Sequence, residues 1–250
     1  MGRYLHLQGK VYYAERNAVT GLPGPRRYLG NARSCSIETE TNIIEHLEST
    51  SGNRVMDNRY QFGLKLNCTL EFDEYDKRNL ALAVKGNFLD IASGSVGAGD
   101  ETLPAGITAG TYYRTRFGNI TNLAIGNLVS GTHYVLEDAK AGRIRFLQNV
   151  TGTPPDVTYN YAAQTRVPAL NDTAPPELWL EIDGINVASQ SKRVNVTIYR
   201  FAFNATESLM LLNDDPTMFS LKGAVLRDTN YSTGTNYTNF GEYFNILEVE

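Results

Sequence analysis

From Phe62 to Phe72 the chain alternates: Phe62, Leu64, Leu66, Cys68, Leu70 and Phe72 take every second position, and Gly63, Lys65, Asn67, Thr69 and Glu71 fill the gaps. A period of two over that length predicts a half-buried strand. The period then changes. Asp73 is placed to cap a short helix with Asp76 in its first turn, Tyr75, Asn79, Leu80, Leu82 and Val84 lie along it, and Gly86 supplies a left-handed stop. Before the strand, Arg33 to Glu45 also alternates, with Cys35, Ile37, Thr39, Thr41 and Ile43 on one face and Ser36, Glu38, Glu40 and Asn42 on the other. Antiparallel pairing sets Ile37 near Leu66, Cys35 near Cys68 and Glu38 opposite Lys65. A one-residue slip is excluded because it would mix the faces. The connection from His46 to Asn58 is expected to be a loop, too long for a tight turn.

Shorter strands are expected at Gln8 to Ala14 and from Arg27, then at 112–117, 120–125, 133–137, 143–148 and 157–161, separated by Gly-Asn, Gly and Pro-Pro punctuation. Further strands follow at Leu178 to Ile182, Val194 to Phe203, Phe219 to Val225 and Tyr243 to Val249. In the second of these, Val194, Val196 and Ile198 oppose Tyr199, Phe201 and Phe203, so the strand reads as apolar on both faces. Ala205 to Leu212 reads as a second short helix capped by Asn204 or Thr206. Asn87 to Gly110 holds Gly94, Gly97, Gly99, Gly106 and Gly110. It opens into a strand-like GTYYRTRF rather than a helix, so it reads as a loop and not as a phosphate cradle. The fold class expected is all-β with one or two short helices, a sandwich or barrel. One domain is expected over 1–250, with loop insertions near 15–26, 46–58, 87–110 and 228–242.

Composition narrows the function. A net charge of −4 and a pI near 5.5 argue against a protein that grips phosphates, because such affinity comes from Lys and Arg. The apolar runs are too short to cross a membrane as a helix and the start lacks a secretory h-region, so cytoplasmic synthesis and no membrane partner are expected. In that compartment Cys35 and Cys68 are expected as buried thiols. His6, His46 and His133 are scattered outside any metal-binding spacing, and no nucleophile elbow or P-loop occurs. The acid pairs Glu137-Asp138 and Asp214-Asp215 fall in turns, where Asp is expected anyway. No catalytic, cofactor-binding or metal residue is assigned, and no enzymatic activity is expected.

Several short motifs, in order, carry a resemblance. Gly30-Asn31 leads into an acidic alternating strand. A loop with Glu48, Ser49, Gly52 and Arg54 follows, then the long strand, then Asn79-Leu80-Ala81-Leu82-Ala83 with Gly86. Later come Tyr159-Asn160-Tyr161-Ala162-Ala163, Leu212-Asn213-Asp214-Asp215 and Phe219-Ser220-Leu221-Lys222-Gly223. In order and spacing the chain resembles the major tail tube proteins of long-tailed bacteriophages. That resemblance implies hexameric rings whose hairpins join in a ring-wide β-barrel, stacked into a tube that conducts DNA. The partners implied are further copies, a tape measure protein, tail terminator or tip proteins, a sheath protein where the tail contracts, and double-stranded DNA in passage. The place implied is the virion tail, assembled in the host cytoplasm.

On that reading Ser36, Glu38, Glu40, Lys65, Asn67, Thr69 and Glu71 face the lumen, where a net negative wall lets DNA slide. His46, Glu48, Ser51, Gly52, Arg54, Asp57 and Arg59 form an inter-subunit or inter-ring loop, and the Tyr-rich stretch 229–240 is a mobile loop or a neighbour contact. The alternatives are a virion carbohydrate-binding or adsorption β-sandwich and a capsid decoration protein.

Overall fold

A computed structural model describes residues 4–50, 52–171, 176–188, 192–212, 214, 216–230 and 241–249. The elements run β1 (Leu7–Glu15), β2 (Arg27–Gly30), β3 (Ala32–Leu47), β4 (Met56–Phe72) and α1 (Lys77–Ala83). Then come β5 (Leu89–Ile91), β6 (Gly94–Val96), β7 (Tyr112–Arg114), β8 (Ile120–Ile125), β9 (Tyr134–Asp138), β10 (Arg143–Phe146), β11 (Val157–Tyr161) and β12 (Gln164–Arg166). The last are β13 (Leu178–Asn186), β14 (Lys192–Phe203), β15 (Phe219–Val225) and β16 (Phe244–Val249). The all-β expectation holds, with several antiparallel sheets and no closed barrel.

The chain divides into two compact units, where the sequence suggested one domain with loop insertions. The second unit spans Phe88–Arg166. It holds the small sheets β7-β10-β9, β6-β11-β8 and β12-β5 around Ile107, Ile120, Ile125, Ile144, Phe146 and Val157. The expected loop 87–110 is therefore the start of this unit. Its β5 and β6 pair with strands 60 or more residues later, and Val96, Leu103 and Ile107 are buried. A glycine-rich run hides that role, because its few apolar residues have no local period.

The first unit is one eight-stranded sheet in the order β2-β1-β13-β14-β15-β4-β3, with β16 beside β14. Its end strands β2 and β3 are consecutive in the chain, joined by Asn31 alone, so the sheet curls until its two edges share one corner. Gly30 turns that corner with φ +99, a conformation open to glycine. The concave side buries Leu66, Leu70, Phe72, Leu180, Ile198, Phe201 and Leu221, each worth roughly 2 kcal/mol when fully buried. Phe72 stacks on Phe219 with centroids 5.4 Å apart.

Helix α1 brings Leu80, Leu82 and Ala83 onto this core. Its N-cap is Asp76, not Asp73. The Asp73 carboxylate instead accepts from Arg33 Nε (2.7 Å) and Asn31 Nδ2 (2.8 Å), securing the corner. At the other end Lys85, not Gly86, takes the left-handed turn, with φ +46. Glycine is required at 86 because a Cβ there would lie 2.0 Å from the Pro168 carbonyl oxygen. The second expected helix does not form: Asn204 to Leu212 is irregular.

Two bulges alter the expected faces. In β3–β4, Thr41 pairs with Leu64 but Asn42 pairs with Phe62, leaving Gly63 as the extra residue at φ +71. In β14, Ile198 pairs with Leu180 and Phe201 with Leu178, an extra residue that puts Ile198 and Phe201 on the same side. The strand read as apolar on both faces thus keeps Ile198, Phe201 and Phe203 in one core. Tyr199 turns out to meet Trp179 at 5.1 Å.

Candidate functional site

The hairpin β3–β4 is longer than expected and its loop shorter. His46, Asp57 and Arg59 are strand residues, and the connection is only 48–55, closed by the Glu48 N–H on the Val55 carbonyl at 2.9 Å. In the observed register Ile37 pairs with Cys68, Cys35 with Leu70 and Glu38 with Asn67. That is a two-residue shift from the expected pairing, so the faces are preserved.

The seven residues expected on one polar face do share it. Ser36 pairs with Thr69, Glu38 with Asn67 and Glu40 with Lys65, while Ser34 Oγ donates to Glu71 at 2.8 Å. Asn67 Nδ2 donates to Glu40 Oε1 at 3.2 Å. Strand β15 widens the face with Lys222, opposite Thr69, a residue the sequence reading missed because the pairing of β15 with β4 is not local. Lys222 is itself paired with Glu207 at 3.1 Å. Because Lys222 brings the Glu207 carboxylate with it, the face keeps the excess of Glu38, Glu40 and Glu71 over Lys65.

Strand β4 is held by β15 only up to the pair Leu66–Val225. Beyond it, Glu40–Leu47 and Met56–Lys65 bond to each other alone. At 3.3 Å per residue this arm reaches roughly 25 Å. The Gly63 bulge reverses the sides of β4 in the arm, because β3 alternates without interruption there. Phe62 and Tyr60 pair with Asn42 and Ile44, so they continue the acidic face as an aromatic one, whereas the sequence had put Phe62 on the core side. Ile43, Leu47, Met56 and Leu64 occupy the opposite side. All of these are exposed, from 40% for Ile43 to 54% for Tyr60. A two-stranded ribbon is at best marginally stable alone in water, and a contiguous apolar surface marks a contact.

At the tip, His46 Nδ1 lies 2.5 Å from Asp57 Oδ1, Arg59 Nε lies 3.9 Å from Glu45, and Thr50 Oγ1 donates to Glu48. Gly52 and Arg54 turn the loop with φ +77 and +50. Ser51 lies outside the described residues, as do Asp215 and residues 231–240 of the Tyr-rich stretch.

Other chemistry is dispersed. Among the described residues no three His, Cys, Asp or Glu side chains gather as metal ligands, and no helix is long and apolar enough to cross a membrane. Glu137 and Asp138 end strand β9 and do not lie in the turn the sequence suggested: Glu137 pairs with Arg145 at 3.4 Å, while Asp138 accepts from the Lys140 and Ala141 N–H groups of the turn that follows. His133 Nδ1 accepts the Val129 N–H at 3.0 Å. In the second unit the Tyr159 hydroxyl donates to Glu101 at 2.5 Å. Burial, with this carboxylate, pushes its pKa up to about 12.

Residues 4–244 match a family described as "Protein of unknown function UCP028589". No curated protein matches the chain.

Proposed function

We propose that this chain, which belongs to the UCP028589 family, is a structural virion protein whose hexameric rings stack into a phage tail tube. The observation that carries the reading is the arm: two strands bonded only to each other, apolar on both sides and continuous with a polar, carboxylate-bearing face. Subunits arranged around an axis bury such arms against one another and join their open edges, which removes the sticky templates that long exposed strands present. The base of the hairpin, with Glu38, Asn67, Thr69 and Glu71, and the start of the arm, with Glu40 and Lys65, line the lumen. The outer half, with Ile44, Tyr60 and Phe62, packs on the neighbouring subunit or ring. Duplex DNA carries one charge per ~1.7 Å, so a wall with slight negative excess offers it no deep well, and the genome passes. The chemistry is assembly and passage, with no reaction.

A second reading, an adsorption module for an acidic glycan, draws on the outer face of β7-β10-β9. There Arg114 stands opposite Arg143 and Tyr112 opposite Arg145. Like charges directly opposed are destabilising unless something anionic lies over them.

Negative-stain electron microscopy of the purified protein, fresh and concentrated, separates the two. Hollow tubes or stacked rings of constant diameter are expected. Discrete closed oligomers that never stack would sink the tube reading and favour the module.

A further inference from the structure

Strands β15 and β16 lie along the same edge of β14. Val225 pairs with Phe201, and Phe244 resumes the line at Ile198. They lie like two halves of one strand, and residues 226–243 connect them in sequence. The Asp228 N–H bonds the Glu242 carbonyl at 2.7 Å, between the two ends of that connection. Strand β4 follows the first half and then departs with the arm, so among the described residues no strand pairs with the outer edge of β16. The side chains of that strand are also uncovered: Ile246 is 56% exposed, Leu247 52% and Val249 47%. Ile246 belongs to the core side, opposite buried Val196, while Leu247 and Val249 point the other way. The strand is thus apolar on both faces and open along one edge, as the arm is.

We infer that the outer edge of β16 receives the β3 edge of the arm from a neighbouring copy. The inference rests on the ring assembly proposed above and names the surfaces that meet in it. A closed ring is heterologous, so each copy must offer two different edges, a donor and an acceptor. Among the described residues no strand pairs with the outer side of β3, which supplies the donor. From β3 to β16 the path takes four antiparallel steps, β3–β4, β4–β15, β15–β14 and β14–β16, so the two strands point the same way. Rotation about a ring axis keeps that direction, and the contact is a parallel pair. Both open edges lie on the same hand of the sheet, so a parallel pair sets the core side of one strand level with the outer side of the other: Ile43 joins Leu247 on one side and Ile44 joins Ile246 on the other. With Ile43 beside Leu247, Glu45 falls beside Val249, whose partner across the sheet is the exposed Arg193.

The test pairs Leu247→Cys in turn with Thr41→Cys, Ile43→Cys and Glu45→Cys, in a Cys35→Ala, Cys68→Ala background, under mild oxidation of concentrated protein. At least one pair should give a ladder of disulfide-linked species ending at the ring size, which reduction collapses. Hydrogen exchange on the unaltered protein is the second measurement: amides 244–249 and 40–47 should slow together by tenfold or more on assembly. Tubes that form with no ladder and with 244–249 still exchanging at the monomer rate would overturn the edge pairing and leave the tube reading intact. A fast-migrating monomer without a ladder would show the arm closing on its own β16, and would also overturn it. A ladder from rings that never stack would keep the pairing and sink the tube reading.

Discussion

Arg16 grips Asp228 from 212 residues away, its Nη2 2.6 Å and its Nε 3.0 Å from one carboxylate oxygen, with the two side chains only 7% and 2% exposed. Arg16 also reaches Glu177 at 3.4 Å, which Arg200 holds with two bonds of 2.6 and 2.8 Å. Arg200 in turn donates to the Arg227 carbonyl at 2.8 Å. The cluster joins the end of β1, the start of β13, the middle of β14 and the point where the chain leaves β15. Removing one member of a buried pair strands the other charge, at a cost of about 3–5 kcal/mol. Arg16→Met should lower the urea midpoint accordingly, and Arg16→Met with Asp228→Leu should recover most of the loss. A double variant no better than the single one would show that the guanidinium acts through packing.

The same cluster sets a pH limit. Glu177 is held below the ordinary carboxylate value of 4.5, chiefly by the hydrogen bonds from Arg200, with burial opposing and the charges of Arg200 and Arg16 adding. Its proton is therefore bound more weakly in the folded chain than in the unfolded one. The stabilisation is complete above the unfolded value and is lost as pH falls through the folded value. Urea unfolding between pH 7 and 3 should show a plateau down to about pH 5 and a decline below 4.5. Glu177→Gln should lower the plateau and soften the decline; an unchanged slope would assign the acid sensitivity to other carboxylates.

The thiols give a third expectation. Cys35 and Cys68 are diagonal across β3–β4, with sulfurs 3.9 Å apart and unbonded. The hydrogen bond from Cys68 holds the Cys35 thiol below its ordinary value, while the same bond and burial push the Cys68 thiol up. Cys35 is partly exposed and Cys68 is buried. Since the thiolate is the nucleophile, iodoacetamide should label Cys35 in the native protein and reach Cys68 only after unfolding. Equal native labelling of both would mean that the hairpin base opens readily.

What could be read from the sequence follows from what is local. Alternation placed β8, β11, β15 and the end of β4, and parity gathered Ser36, Glu38, Glu40, Lys65, Asn67, Thr69 and Glu71 on one face although the register was two residues out. Parity fails where a strand gains a residue. At Gly63 and beside Tyr199 the hydrophobic pattern runs on unbroken while the backbone changes side, so Phe62 and Phe201 were assigned to the wrong faces. Lys222 joined the acidic face through a pairing of strands about 150 residues apart in sequence, beyond any local period. The second unit was hidden for a related reason, since its short strands and glycines carry no signal that they share a core.

The carboxylates Glu38 and Glu40, where the arm leaves the sheet, should matter for passage and not for assembly. Glu38 and Glu40 are exposed, and Glu40 makes only a 3.2 Å hydrogen bond from Asn67. Replacing both by Lys should leave folding within about 0.5 kcal/mol, as for most surface changes, and leave tubes intact. A lumen bearing that positive charge should retain duplex DNA, slowing ejection in a manner relieved by added salt. Tubes that fail to form would place the two side chains at a subunit contact.

The outer half should behave in the opposite way. Phe62 and Tyr60 are 52% and 54% exposed, so replacing both with Ser removes little from the folded monomer, whose melting temperature should hardly move. In an assembly their burial would contribute about 2 kcal/mol each per subunit. Repeated around a ring, that loss should raise the concentration needed for tubes by at least a hundredfold, read by sedimentation or light scattering. Gly63→Val attacks the same surface through the backbone. A β-branched residue at φ +71 is strained by roughly 1–3 kcal/mol, and relief by removing the bulge would return Phe62 to the side of Leu64. Assembly should then be lost while the body, held by β15 as far as Leu66, still melts cooperatively. Tubes of normal diameter from the Phe62→Ser, Tyr60→Ser protein would show that the aromatic side of the arm is not a contact and would remove the main support for its role in stacking.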